Sequence, residues 1–237
     1  MAVPELDDRR VLERVDPDLV EHAAKIGYEF LEGFKAVDRI GRPGATIFGS
    51  ARISRDNPSY ERARQTGRLL AKEGFAVITG GGPGVMEAAN RGAREAGGVS
   101  VGFRIQLPHE ELENAYLDIS VLFEHFYARK TMLVKAAEGF VLFPGGFGTL
   151  DELFESLVLI QTGEVEQFPA VLVGQSYWEG LLAWIRRHPM REAMISPDDL
   201  DLLFVTDDPE EAVQTIVDCY RRKCAETPAQ VGKADAQ

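Results

Sequence analysis

What most constrains this chain is a rhythm. From residue 45 onward, short apolar runs alternate with stretches of helical spacing, and several of the runs end in glycine. ATIFGSA (45–51), FAVIT (75–79), VSVGF (99–103), LDISVLF (117–123), GFVLF (139–143), PAVLVG (169–174) and DLLFVTD (201–207) read as strands. Residues 58–73, 85–97, 126–138, 149–163, 177–190 and 209–222 read as helices. Asn57 followed by Pro58 is a helix start, and Gly74 a helix stop. The alternation predicts βαβ units, and hence an α/β fold: a doubly wound parallel sheet with helices on both faces. A further helix is expected at about 17–38, packed on the sheet or on a partner, so that residues 1–44 form an N-terminal helical extension. Residues 45–224 read as one domain, and 225–237 (AETPAQVGKADAQ) as a disordered tail. The stretch 105–116 fits no element.

Charge narrows the partners. Lys plus Arg is 26 and Asp plus Glu is 38, a net charge of −12, which argues against nucleic acid as a ligand. A small phosphorylated ligand remains compatible, because a few backbone N–H groups and one or two cations can hold it. Residues 1–15 lack an apolar core, so no secretory signal is expected, and no apolar run is long enough for a membrane span. Two cysteines, Cys219 and Cys224, fit a reduced cytoplasmic protein. His22, His109, His125 and His188 are scattered in the sequence, and no spacing suggests a metal site.

Ligands of such sheets bind beyond the carboxyl ends of the strands. Three glycine-bearing strand ends are expected to converge there: Gly49-Ser50, Gly80-Gly81-Gly82-Pro83-Gly84, and Pro144-Gly145-Gly146-Phe147-Gly148-Thr149. Glycines let backbone N–H groups approach an anion, and a following helix adds a partial positive charge. Thr149 could cap that helix or offer a hydroxyl to a phosphate oxygen. Neither long loop is a Walker A site, and the 80–84 loop lacks GxGxxG spacing. The strand after it ends in Arg104, where a dinucleotide protein usually places an acid, which disfavours NAD.

Glu152 follows Thr149 by three residues and is expected on the first turn of the helix, where it could complete a capping box. Beside a phosphate loop a carboxylate repels the ligand. It makes chemical sense where positive charge develops, as on an oxocarbenium ion at a ribose C1′. Arg129-Lys130 lies early in its helix, near the same rim, and a forked guanidinium suits a phosphate or a developing charge. Glu87 and Asn90 are further candidates to face the ligand.

Together these residues resemble the Lonely Guy family of cytokinin-activating phosphoribohydrolases. PGGFGTLDE (144–152) matches its PGGxGTxxE signature at every fixed position. ARKTM (128–132), GGGPGVMEAANRGA (80–93) and FGSAR (48–52) resemble its other elements. The resemblance implies a Rossmann-like fold and cleavage of the N-glycosidic bond of a nucleoside 5′-monophosphate, a cytokinin riboside monophosphate or AMP, to free base and ribose 5-phosphate. It implies Arg129 and Glu152 as the catalytic pair. It implies Gly145, Gly146, Gly148 and Thr149 at the phosphate, with Lys130, Met132, Gly49, Ser50, Gly80, Gly81, Gly82 and Gly84 completing the site. No cofactor and no metal are implied, and a homo-oligomer is. Plant members often read Leu-Glu-Glu where this chain has Leu150-Asp151-Glu152. Relatives also carry a lysine decarboxylase label, which needs pyridoxal phosphate on a lysine, and no lysine here sits in a recognisable motif for it.

Two rivals share the fold. One is a non-catalytic carrier of a phosphorylated ligand, such as the molybdenum-cofactor carriers, which would have little use for Glu152. The other is a nucleotide-dependent oxidoreductase, weakened by the missing ribose acid.

Overall fold

The expected alternation becomes a seven-stranded, wholly parallel sheet. A computed structural model describes residues 19–106, 114–163 and 168–226. In chain order the elements are α1 (Leu19–Ile40), β1 (Gly44–Phe48), α2 (Pro58–Lys72), β2 (Ala76–Thr79), α3 (Val85–Glu95), β3 (Ser100–Ile105) and β4 (Ile119–Phe123). Then come α4 (Phe126–Lys135), β5 (Phe140–Leu142), α5 (Phe147–Gln161), β6 (Ala170–Val173), α6 (Gln175–Ile185), β7 (Leu203–Thr206) and α7 (Pro209–Glu226).

The strand order is β4-β3-β2-β1-β5-β6-β7. The chain starts in the middle, builds outward to β4, then crosses back to lay β5 against the free side of β1. Every residue of β1, β2, β5 and β6 is buried. The edges β4 and β7 instead alternate half-buried and exposed positions, and only their last residues, Phe123 and Thr206, are buried. One face carries α1, α4, α5 and α6 over Ile78, Phe103, Phe140 and Leu172. The other carries α2, α3 and α7 over Ile47, Val77, Val141 and Val171. Burying each such side chain stabilises the fold by roughly 1.5–3 kcal/mol.

Local chemistry sets the ends. The Asn57 side chain accepts the Ser59 N–H at 2.9 Å, with Pro58 at the first helical position. Gly74 takes a positive φ of 86° just beyond α2. The helix expected over 177–190 is α-helical only to Ile185 and passes into a π-helical turn, Arg186–Met190. Pro189 inside that turn has no N–H to continue an α pattern. Helix α7 runs through Glu226, so the first two residues of the expected tail are helical. The rest of the tail, residues 1–18 and residues 107–113 of the unassigned stretch lie outside the described residues.

Helix α1 packs on α4 and the β4 edge of the sheet. Gly33 permits this: a Cβ there would lie 2.7 Å from Met132 Sδ. Glu29 of α1 accepts the N–H groups of Glu124 at 2.7 Å and His125 at 3.3 Å, where α4 begins. Helices α2 and α3 cross still more closely, since a Cβ on Gly92 would lie 1.8 Å from the Arg64 carbonyl oxygen.

Candidate functional site

The direction of winding reverses between β1 and β5, which opens a crevice beyond their carboxyl ends. The loops there are tied together by backbone. The Phe143 N–H donates to the Phe48 carbonyl at 2.9 Å, the Ser50 N–H to Pro144 at 3.1 Å, and the Val85 N–H to Ser50 at 3.1 Å. Gly84 has a φ of +69°, and a Cβ on it would meet the Ser50 carbonyl oxygen at 2.4 Å. Part of the second glycine loop therefore serves close packing of loop on loop.

These ties frame a cavity of about 550 Å³. Gly146, Phe147, Gly148 and Thr149 form one end; Phe48, Met86, Phe126 and Leu150 supply apolar wall; Arg52, Arg129, Asp151 and Glu152 supply charge. Gly49, Ser50 and Gly80 also line it. Helix α5 opens on the cavity with Gly146 as its N-cap and no side-chain cap. The N–H groups of Thr149 and Leu150 donate to the Gly146 carbonyl, both at 3.1 Å. The first N–H groups of a helix lack partners inside it, and together with the helix dipole they favour an anion at this end.

This geometry corrects two expectations. Thr149 is not the cap, because the helix begins at Phe147. Glu152 consequently lies beyond the first turn and completes no capping box with Thr149. Thr149 is buried, and its hydroxyl fills the space a side chain on Gly145 would need: a Cβ there would lie 2.0 Å from Oγ1. Gly145 itself supports the loop, its carbonyl accepting the Tyr177 hydroxyl, and does not line the cavity.

Glu152 is 7% exposed. Burial pushes its carboxyl up to about 7, against the pull of Lys130, with Glu155 adding to the rise, Arg129 opposing it and Asp151 adding again. Arg129 reaches the cavity from α4. Its Nε donates to the Phe103 carbonyl at 2.8 Å, and its guanidinium occupies the space beside Gly80, where a Cβ would come within 2.2 Å of Nη2. The glycine there makes room for the arginine.

Other expected site residues face elsewhere. Lys130 does not line the cavity; its Nζ sits 2.8 Å from both Asp151 Oδ2 and Glu155 Oε2. Burial lowers its affinity for a proton, but the pull of Asp151 and Glu155 outweighs that and holds it above the ordinary lysine value. Met132 is fully buried in the core beneath Gly33. Gly81, Gly82 and Gly84 do not line the cavity. Gly81 turns at a φ of +70° and donates its N–H to Thr79 Oγ1 at 2.9 Å. Asn90 is fully buried and joins Thr79, Ser100 and Asn114 side chains at 2.6–2.9 Å, so it holds the fold rather than a ligand. Glu87 is taken by Arg55 at 2.6 Å and the Tyr60 hydroxyl at 2.9 Å.

Arg52, Met86 and Phe126 were not among the expected residues, yet they line the cavity. Arg52 and Met86 lie two residues past the first two glycine segments, and Phe126 lies three residues before Arg129 on the same helix, so extending those segments by two or three residues would have found them. His22 and His125, distant in sequence, have ring centroids 5.1 Å apart. Among the described residues no group of three histidines, cysteines or acids is arranged to hold a metal ion, and no helix is long and apolar enough to cross a membrane.

Comparison with known proteins matches residues 86–216 to a family described as "Possible lysine decarboxylase". A cytokinin riboside 5′-monophosphate phosphoribohydrolase from Mycobacterium tuberculosis is 30% identical over 157 residues, covering 65% of this chain and 83% of that protein. A structural-genomics target solved by X-ray crystallography is 27% identical, with a TM-score of 0.55 over 73% of this chain and 98% of its own. The molybdenum cofactor binding protein of Rippkaea orientalis shares the fold at 24% identity, with a TM-score of 0.57 over 76% of this chain and 98% of its own.

Proposed function

The chain belongs to the Lonely Guy family, whose matching model bears the lysine decarboxylase description, and from that membership we propose that it hydrolyses the N-glycosidic bond of a nucleoside 5′-monophosphate. The observation that carries the reading is Glu152: a buried carboxyl, raised to about 7, set beside an arginine at the end of an anion-binding glycine loop. An anion site alone has no need of it.

In this reading the 5′-phosphate docks on the N–H groups of residues 146–148 and the Thr149 hydroxyl. That contact is remote from the reacting bond, so its binding energy orients C1′. The C1′–N bond lengthens and its electron pair leaves with the base. Glu152 stabilises the cationic C1′ and accepts a proton from the water that attacks it. The water oxygen bonds to C1′, the base nitrogen takes a proton from solvent, and Glu152 gives back to solvent the one it accepted, so one water is consumed per bond broken. Arg129 orients the substrate. Cytokinin riboside monophosphate and AMP are the two substrates in view, since they differ only at N6 of the adenine.

The test is chromatography of products after incubation with AMP and with isopentenyladenosine monophosphate, with E152Q as control. Free base plus ribose 5-phosphate from the wild type alone supports the hydrolase. Tight nucleotide binding without base release, in both proteins, overturns it for these substrates and favours the carrier reading.

A further inference from the structure

The Lys130 ammonium sits where acids converge. It lies 2.8 Å from Asp151 Oδ2 and 2.8 Å from Glu155 Oε2, and its own side chain is only 17% exposed. Asp151 precedes Glu152 on α5 and Glu155 follows it by one turn, so the two anchors bracket the proposed catalytic carboxyl. Lys130 in turn follows Arg129 on α4. The two arms are unequal: the Asp151 side chain is 59% exposed, so solvent screens its hydrogen-bonded arm, whereas the Glu155 side chain is 37% exposed and its Oε2, buried and without a hydrogen bond, meets Lys130 as an ion pair.

We propose that Glu155 is a positioning residue for Glu152: by sharing the Lys130 ammonium with Asp151 it ties α4 to α5 and keeps that ammonium from closing onto the Glu152 carboxylate. The proposal rests on the reading of Glu152 given above. A direct Lys130–Glu152 ion pair would fix Glu152 as a spent carboxylate, poor at taking a proton from water. With Lys130 held by two other acids, Glu152 stays basic near neutrality while the site keeps its charge balance. The charged groups facing Glu152 are then Arg129 and Lys130 from α4, Asp151 and Glu155 from its own helix, and Arg52 in the cavity wall beyond β1. Arg129 is itself held by the Phe103 carbonyl. Lys130 is thus the cation whose freedom Glu155 controls.

The experiment is a ¹³C NMR titration of glutamate-labelled full-length chain, with the Glu152 carboxyl assigned by its absence in E152Q. In E155Q the midpoint falls by about one pH unit, since a repelling charge is lost and Lys130 is released. In K130M it rises. E155D, which keeps the charge, stays close to wild type and serves if E155Q folds poorly. On the same proteins, the ratio of base-release rate at pH 6 to that at pH 8 rises roughly fivefold in E155Q, as expected for a carboxylate whose midpoint drops by about one unit. A loss of packing alone would lower both rates without moving their ratio. An E155Q midpoint that stays put or rises overturns the proposal. A shifted midpoint in a chain that releases no base upholds the positioning and removes the hydrolase reading; base release with an unshifted midpoint does the reverse.

Discussion

At the scale of single residues, Glu152 carries opposite consequences for activity and stability. Its folded value of about 7 lies above the ordinary 4.5. The fold therefore favours the neutral acid, and the stabilisation from that preference is complete below pH 4.5 and lost as the pH rises through 7. At pH 8 the buried carboxylate costs up to about 3 kcal/mol. E152Q is expected to raise the melting temperature at pH 8 by several degrees and to change it little at pH 4, while lowering base release about 10²–10⁴-fold. A scanning-calorimetry pair at the two pH values checks the first; a variant equally stable or weaker at pH 8 contradicts it. In the wild type, kcat/KM is expected to rise with pH and level off above about 7, because the proposed mechanism uses the carboxylate. Gly80 gives a second prediction. Alanine there pushes the Arg129 guanidinium, the end of a flexible side chain, out of place. G80A is expected to lower kcat/KM at least tenfold, with a denaturation midpoint close to wild type. Kinetics and urea unfolding on one preparation separate the two.

Among elements, the strongest constraint is the crossing of α2 and α3, where Gly92 meets the Arg64 carbonyl and a Cβ on Gly67 would lie 2.1 Å from the Ala89 carbonyl. Here the obstacle is backbone, which cannot step aside. G92A is expected to destabilise by about 1–3 kcal/mol or more, read as a lower urea midpoint at unchanged slope. The elements themselves were legible in the sequence, because runs such as FAVIT and GFVLF admit few alternatives between helix signals. Which way each side chain points was less so. ARKTM is one motif, but successive residues on a helix turn by about 100°. Arg129 consequently meets the cavity, Lys130 meets α5, and Met132 enters the core. The cap of α5 was misplaced for a related reason. Gly146-Phe147-Gly148 is poor helix sequence, and propensity reads it as loop, whereas the fold starts the helix there and aims its N–H groups at the cavity.

For the molecule as a whole, α1 shows how much lies beyond a motif. Its inner side is fixed by Gly33, Ala36 and Ile40, while Leu19, Val20, Tyr28, Leu31 and Phe34 remain exposed at helical spacing on the outer side. A stripe of that kind fits a homo-oligomeric contact. Light scattering coupled to size exclusion is expected to give a mass above that of one 26.2 kDa chain, and L31K to reduce it. A monomer in the wild type would remove the idea. The backbone ties around the cavity also set an order in time. Ser50 and Pro144, joined by one hydrogen bond, lie 94 residues apart along the chain. Contacts so distant along the chain form late, after local helix and strand pairs. A chain still emerging, and stopped short of Pro144, already owns its arginine helix. It has nowhere yet to put a phosphate. In the proposed reading, ligand capture therefore waits until the chain has been made at least through Thr149.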